Sequence, residues 1–217
     1  MDNQAGARQP YRIVTPPSAA TMACKRAFDI LCSFLGLTVL SPVLLVVSVL
    51  VAVTSPGGVF FRQERVGKDG KPFRIFKFRS MRKDNAGLKI TTGNDSRITP
   101  VGRFLRKSKI DELPQLINVL VGDMSFVGPR PEVADYVNLY TPYQRQVLLV
   151  RPGITGLASI RFRNENDLLT ASDDPNRTYV EQIMPRKIDL DLEYIPHASV
   201  PYDIKLIFQT LGAVIKE

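Results

Sequence analysis

Twenty-four consecutive residues, Ile30 to Val53, carry no charge. Coiled as an α-helix they rise about 36 Å, enough for a hydrocarbon core of roughly 30 Å. A chain of 217 residues has room for one domain with appendages, and a domain that small rarely hides so long an uncharged run. A cleaved signal peptide fits no better. The run starts late, is long for such a segment and lacks a clear small-residue cleavage site. Two readings stay open: a helix that crosses a membrane, and one that enters and returns.

Ser41-Pro42 lies at the centre of the run. Proline removes the hydrogen bond to residue 38 and clashes with that turn, so a kink is expected there. Thr38 and Ser41 could satisfy part of the freed backbone. Lys25 and Arg26 precede the run, and Arg62, Arg65, Lys68 and Lys71 follow it. Positive residues prefer the cytoplasmic side, so a straight span would strand one basic flank. A helix broken at Pro42 returns both ends to one face, and the pattern favours this re-entrant hairpin. Asp29 sits at its mouth, where it could pair with Lys25 or Arg26, or cap the helix.

Charge is unevenly spread. Residues 60–110 carry 15 positive and four negative groups, whereas residues 111–217 carry ten and 15. A basic block beside an apolar run favours a membrane surface or a phosphate ligand. One His and two Cys exclude a zinc finger and a disulfide scaffold and argue against a Ser-His-Asp triad. His197 is expected at a surface.

The polar portion opens with a predicted hairpin, Phe60–Val66 and Phe73–Met81, turning at Lys68-Asp69-Gly70. Phe73, Arg74, Phe76, Lys77, Phe78 and Arg79 interleave aromatic and basic residues. That pattern can serve nucleic acid, yet no nucleic-acid-binding module accompanies it, and it equally suits anionic lipid. No nucleic-acid partner is expected.

Thr99-Pro100 starts a short basic helix, with Thr as N-cap and Pro at N1. Arg103 and Arg106 share its face. Either they form a solvated surface or they clamp phosphate. In the next segment Leu113, Leu116, Ile117 and Leu120 form a helical stripe, and Pro114 is tolerated only in a first turn. The helix is therefore expected to begin near Asp111, with Asp111 as N-cap or close to it and Glu112 first inside. A cap is one use of that aspartate. A helix start also receives phosphate, and two carboxylates there would repel a diphosphate unless Mg²⁺ or arginines neutralised it. An acidic pair beside Arg103 and Arg106, on a membrane-anchored chain, points to metal-assisted phosphoryl transfer with aspartate as a nucleophile. Gly128-Pro129-Arg130-Pro131 fixes one arginine between two prolines, as a rigid connection or as a phosphate ligand. Arg151-Pro152-Gly153-Ile154-Thr155-Gly156 reads equally as a turn or a ligand loop. Helices are expected at Val137–Val150 broken at Pro142, Tyr179–Tyr194 broken at Pro185, and Tyr202–Ile215. The last shows a broad apolar face that suits core or interface. Arg161, Arg163 and Asn164-Glu165-Asn166 form a polar cluster without an assigned role. There is no Walker loop, GxGxxG, GxSxG or internal repeat.

From about Lys25 to the C-terminus the chain resembles the bacterial sugar transferases that are monotopic phosphoglycosyl transferases. The resemblance rests on Lys25-Arg26-x-Phe28-Asp29, Ser41-Pro42, Phe61-Arg62-Gln63-x-Arg65-x-Gly67 and Lys77-Phe78-Arg79-Ser80-Met81. It continues through Asp111-Glu112-Leu113-Pro114-Gln115-Leu116, Gly128-Pro129-Arg130-Pro131 and Arg151-Pro152-Gly153-Ile154-Thr155-Gly156. It implies transfer of a sugar 1-phosphate from a UDP-sugar to polyprenyl (undecaprenyl) phosphate with release of UMP, the first membrane step of glycoconjugate or exopolysaccharide assembly. It implies Asp111 as nucleophile, carrying a covalent phospho-sugar, and Glu112 as magnesium ligand, with Asp111 beside it, or proton-handling partner. Arg130 would hold phosphate, with Arg103, Arg106 and Arg151 as further substrate contacts. Lys25, Arg26 and Asp29 would line the membrane mouth, and Ser41 and Pro42 the kink.

The expected architecture is a mostly helical α+β protein at the cytoplasmic face of the bacterial inner membrane. A leader (1–22) precedes a re-entrant helix-break-helix (23–54) and a catalytic domain (55–217) with a β-hairpin and interfacial amphipathic helices. The phospholipid bilayer is an expected partner, a homodimer an expected assembly, and the chain an expected minimal catalytic unit. After Gly156, Leu157 to Glu165 departs from the pattern of many members, which bears on the sugar or uridine pocket.

Overall fold

A computed structural model describes residues 13–55, 57–82 and 97–215. Its first element, α1, is one helix over Ala19–Thr54, capped by the Ser18 side chain on the Thr21 amide. It takes in the last residues expected in the leader. Its hydrogen-bonded secondary structure does not break at Ser41-Pro42. The Ser41 hydroxyl donates to the Thr38 carbonyl at 2.8 Å, the acceptor that proline leaves without an N–H partner. Local repair thus lets the helix continue through Pro42. It is long and apolar enough to cross a membrane. Leu31, Phe34, Val39, Val46, Val49 and Val53 face outward, Val39 at 74% and Val53 at 81% exposure, far more apolar surface than a water-soluble domain leaves bare.

Both halves of α1 rest on the same polar body. Near its start, the Lys25 ammonium donates to Ser125 Oγ and the Val127 carbonyl and pairs with Asp203. Asp29 accepts from Ser125 Oγ and the Phe126 amide, each at 3.1 Å. It therefore pairs with neither Lys25 nor Arg26, the partners the sequence suggested, because a strand hydroxyl and a strand amide claim it. Arg26 donates to the Val119 and Leu120 carbonyls. Near its end, Val47 and Val51 pack with Phe78 and Leu105.

Strands β1 (Phe60–Val66) and β2 (Pro72–Phe78) form the expected antiparallel hairpin, Phe60 opposite Phe78 and Val66 opposite Pro72. Its turn places Asp69 at φ 57°, a conformation Asp tolerates. Helix α2 (Pro100–Lys107) starts as expected, Thr99 Oγ1 accepting from the Gly102 amide at 2.9 Å. Helix α3 spans Gln115–Val121 with Pro114 at its N-cap, so it begins three residues later than expected and Asp111 does not cap it. Lys109 adopts a left-handed conformation that redirects the chain, and Ile110–Glu112 form a tight 3₁₀ turn instead. Asn118, fully buried, stitches α3 to β2 by accepting from the Phe76 amide and donating to the Arg74 carbonyl.

A second, parallel pair joins β3 (Ser125–Val127) to β4 (Gly153–Thr155). Gly128 and Gly153 cross here so closely that a Cβ on Gly153 would lie 2.1 Å from the Gly128 nitrogen. The expected Val137–Val150 helix is instead α4 (Ala134–Val137) and a 3₁₀ stretch, Gln144–Leu149, separated around Pro142. Short helices α5 (Leu157–Arg161), α6 (Glu165–Thr170) and α7 (Pro175–Thr178) follow. A π-turn over Tyr179–Ile183 leads into α8 (Met184–Tyr194), with Pro185 in its first turn. Ile183, Ile188, Leu192, Val127, Tyr140 and Leu169 share the main core. Helix α9 (Val200–Ile215) sends Leu206 into that core. Among the described residues this is a mostly helical α+β fold with two small sheets and one long apolar helix.

Candidate active site

Lys109, Ile110 and the turn after them push two adjacent carboxylates into one crevice and give them opposite environments. Glu112 Oε1 accepts from Lys77 Nζ at 2.6 Å and from the Arg130 guanidinium at 3.0 Å. Burial opposes its ionisation, but these two bonded cations outweigh burial and hold it well below the usual carboxylate range. Asp111 is 7% exposed, and its Oδ1 is buried without a hydrogen-bond partner. Burial, then the neighbouring Glu112 charge, pushes it up to about 6 against Lys77, Arg106 and Lys109. At neutral pH it is an ionised oxygen that no protein donor quenches, the condition a carboxylate nucleophile requires.

Arg106 and Lys109 also wall a cleft of about 420 Å³, with Lys107 on the same side and Arg163, Asn164, Asn166 and Asp167 opposite. Four cations against one carboxylate suit a phosphorylated ligand. Arg130, on the segment between β3 and α4, keeps 38% of its side chain exposed while bonded to Glu112, so it can reach a ligand without leaving its anchor.

The structure thus gathers Asp111, Glu112, Arg130 and Arg106. Arg103 lies exposed on α2. Arg151 donates to the Gly122 carbonyl at 2.8 Å, at the far end of α3 from the acidic pair. Lys25 and Asp29 are buried fasteners of α1, and His197 is exposed. In the sequence Lys77 belongs to an aromatic-basic strand and to the Lys77-Phe78-Arg79-Ser80-Met81 motif, but without a role at the acidic pair, where the structure bonds it to Glu112. Sequence reasoning passed over Asp191 on α8, 5% exposed, whose Oδ1 is buried without a hydrogen-bond partner. Burial pushes Asp191 up to about 7, against the opposing charge of Lys187.

Among the described residues no group of three or more His, Cys, Asp or Glu side chains could hold a metal ion. One oxygen of Glu112 already serves two cations, which leaves the unpartnered Asp111 Oδ1 as the open demand. That set fits magnesium held through one or two carboxylates, with substrate phosphates and water completing its shell.

Residues 20–217 match the bacterial sugar transferase family. The chain belongs to this family. A UDP-glucose:undecaprenyl-phosphate glucose-1-phosphate transferase of Escherichia coli K12 is 43% identical over 203 residues, covering 91% of this chain and 41% of that protein. A UDP-N-acetylgalactosamine-undecaprenyl-phosphate N-acetylgalactosaminephosphotransferase of Aeromonas hydrophila is 38% identical, covering 92% and 45%. The exopolysaccharide production protein PSS of Rhizobium leguminosarum bv. phaseoli is 40% identical, covering 90% and 96%. The chain spans less than half the length of the first two relatives and nearly all of the third. The match of this bacterial sugar transferase to its family takes in α2, α3 and the Arg130 segment, the elements that build the crevice.

Proposed function

We propose that this bacterial sugar transferase moves a sugar 1-phosphate from a UDP-sugar to polyprenyl phosphate. The observation that carries the reading is the buried, unpartnered Asp111 oxygen beside a carboxylate locked to Lys77 and Arg130. Asp111 attacks the β-phosphorus of the donor. The bond from that phosphorus to the bridging oxygen breaks, and UMP leaves with the electron pair. Asp111 then carries the phospho-sugar as an acyl phosphate. A phosphate oxygen of the lipid attacks the same phosphorus, the acyl phosphate bond breaks, and the free carboxylate returns. Arg130 and Arg106 face the developing charge. Glu112, held ionised, is a poor proton donor, and it serves by fixing Lys77 and Arg130. Magnesium, held by Asp111 and Glu112, would neutralise diphosphate oxygens.

The same reading seats α1 as a re-entrant element in the cytoplasmic leaflet of the inner membrane, bent at Ser41-Pro42. Its support is the contact of both halves with one polar body, while the residues between face outward. A lipid substrate and a soluble donor then meet at the interface. Donors named for the relatives, UDP-glucose above all, are the first to test.

UMP release is the assay, with polyprenyl phosphate, Mg²⁺ and a UDP-sugar panel. Wild-type protein should release UMP with at least one donor, and Asp111→Asn should lose turnover more than about 10³-fold. Donor alone should leave a phospho-sugar mass on the peptide containing Asp111. Silence across the panel overturns the reading, and full turnover by Asp111→Asn removes the nucleophile.

A further inference from the structure

We propose that Arg65 is a positioning residue for Arg130, acting through the carbonyl of the proline that follows that arginine; the inference rests on the transferase reading of the site. The prolines of Pro129-Arg130-Pro131 narrow the arginine's backbone but anchor it to nothing. The anchors come from outside. On the entry side they are main-chain bonds: Gly128 N–H donates to the Thr155 carbonyl at 3.0 Å and Gly153 N–H to the Pro129 carbonyl at 2.9 Å. On the exit side a side chain takes part. Arg65 Nη1 donates to the Pro131 carbonyl at 3.1 Å and to Glu132 Oε2 at 3.4 Å, while its Nη2 donates to Gln63 Oε1 at 2.7 Å. The Val66 N–H adds a bond to the Glu132 carbonyl at 2.8 Å, and the Tyr179 hydroxyl donates to the Glu132 carboxylate.

These bonds close a ring through the active site. Strand β2 carries Lys77 to Glu112 Oε1. Strand β1, in fixed register with β2, carries Arg65 to Pro131. Arg130, one residue earlier, returns to the same Glu112 oxygen. The hairpin thus sets both cations on that acid, one directly and one through Arg65. Arg65 does not wall the cleft, so its effect on a ligand passes through the segment it grips. A guanidinium suits the task because its planar fork meets a carbonyl and a carboxylate at once, which the point charge of an ammonium does not. Glu132 supplies the counter-charge for this second cation beside the Arg130 segment. Freed at Pro131, the segment lets the Arg130 guanidinium shift, and a misplacement of about 1 Å can cost a site about 10²-fold.

The test is a double-mutant cycle read by calorimetric binding of UDP, which carries the donor's diphosphate without its sugar, in the presence of Mg²⁺. Arg65→Lys keeps a charge beside Glu132 and loses the fork. Affinity for UDP should fall about tenfold when Arg130 is intact and less than about twofold when Arg130→Lys is already present, because no guanidinium is left to misplace. An equal loss in both backgrounds shows a merely structural role and overturns the proposal, as does no loss with Arg130 intact. Arg65→Met/Glu132→Gln covers a lysine variant that fails to fold. It removes both charges together, so neither is left buried alone, and the same two losses are expected. Hydrogen exchange at the Val66 amide, which bonds the Glu132 carbonyl, gives a second readout. It should be slow in wild type and faster in Arg65→Lys, and an unchanged rate overturns the grip. Wild type that neither binds UDP nor releases UMP would instead sink the transferase reading, with the Val66 exchange still deciding whether Arg65 holds the segment.

Discussion

Lys77 on β2 and Arg130 after β3 converge on one oxygen, Glu112 Oε1, at 2.6 and 3.0 Å. The two cations arrive from segments more than fifty residues apart, and the acid they share stands next to an aspartate that receives no hydrogen bond at its inner oxygen. Two neighbouring carboxylates of similar chemistry are thereby split into a fixed counter-charge and a free one. Each should answer to substitution with opposite sign.

Asp111→Asn should stabilise the metal-free protein. The folded carboxyl sits at about 6 against an ordinary 3.8, so the native state binds the proton more tightly than the unfolded chain. Stability from this group is complete at low pH and is lost as pH rises toward 6. The loss is on the order of 3 kcal/mol by the pKa difference, and asparagine escapes it. Melting in the presence of a chelator should show an advantage for asparagine that grows from pH 4 to 6 and then stays constant. An advantage independent of pH would contradict the assigned cause.

Glu112→Gln should do the reverse. It strands a half-buried Lys77 ammonium, and the loss should approach the roughly 3–5 kcal/mol that breaking a fully buried pair costs. Lys77→Met should cost a similar amount alone. The double variant Lys77→Met/Glu112→Gln should lose clearly less than the two single losses added, since no unpaired charge on Lys77 remains. Additive losses in chemical unfolding would show that the two groups do not interact.

Asp191 gives a second pH signature. Burial raises its folded carboxyl to about 7, with Lys187 opposing and Glu132 assisting. Its contribution to stability is present below about pH 4, falls through neutrality and is spent above 7. Wild type should therefore lose melting temperature relative to Asp191→Asn between pH 4 and 7, with parallel curves above. Parallel curves throughout would show that this carboxyl does not titrate in the folded protein.

Gly102→Ala should damage the site from outside it. A Cβ at this position would lie 2.0 Å from the Ser80 carbonyl oxygen, so α2 must lift away, carrying Arg106 and the turn that follows. Activity should fall at least tenfold and stability by several kcal/mol. Thr99→Ala, which removes only the cap bond, should cost about 1 kcal/mol with activity nearly kept. Equal activities for the two variants would contradict the close packing.

Membrane topology is checked by labelling. A cysteine introduced in the segment before α1 and another after Gly58 should react with an impermeant reagent from the same side of sealed vesicles. Reaction from opposite sides would rule out the re-entrant arrangement.

Local chemistry made much of this legible. The Thr99-Pro100 start, the hairpin turn at Asp69-Gly70 and the apolar run each depend on neighbouring residues, and each stands where the sequence puts it. Asp111, Glu112 and Arg130 were readable as chemistry because motifs concentrate them. Helix α3 was placed too early because the left-handed turn at Lys109 has no strong residue signal; lysine rarely adopts it. The role of Lys77 and the burial of Asp191 stayed hidden for another reason. Glu112, the partner of Lys77, is 35 positions away in the chain, and Asp191 is buried only because α8 packs Ile188 and Leu192 into the main core.

The fastening of Lys25 and Asp29 to Ser125 and Asp203 has a final consequence. The strand they grip ends one residue before the segment that bears Arg130. The long apolar helix α1 is therefore no interchangeable appendage. Replacing it with an unrelated apolar helix would leave Asp203 entombed without its counter-ion, and would set adrift the strand from which the Arg130 segment departs.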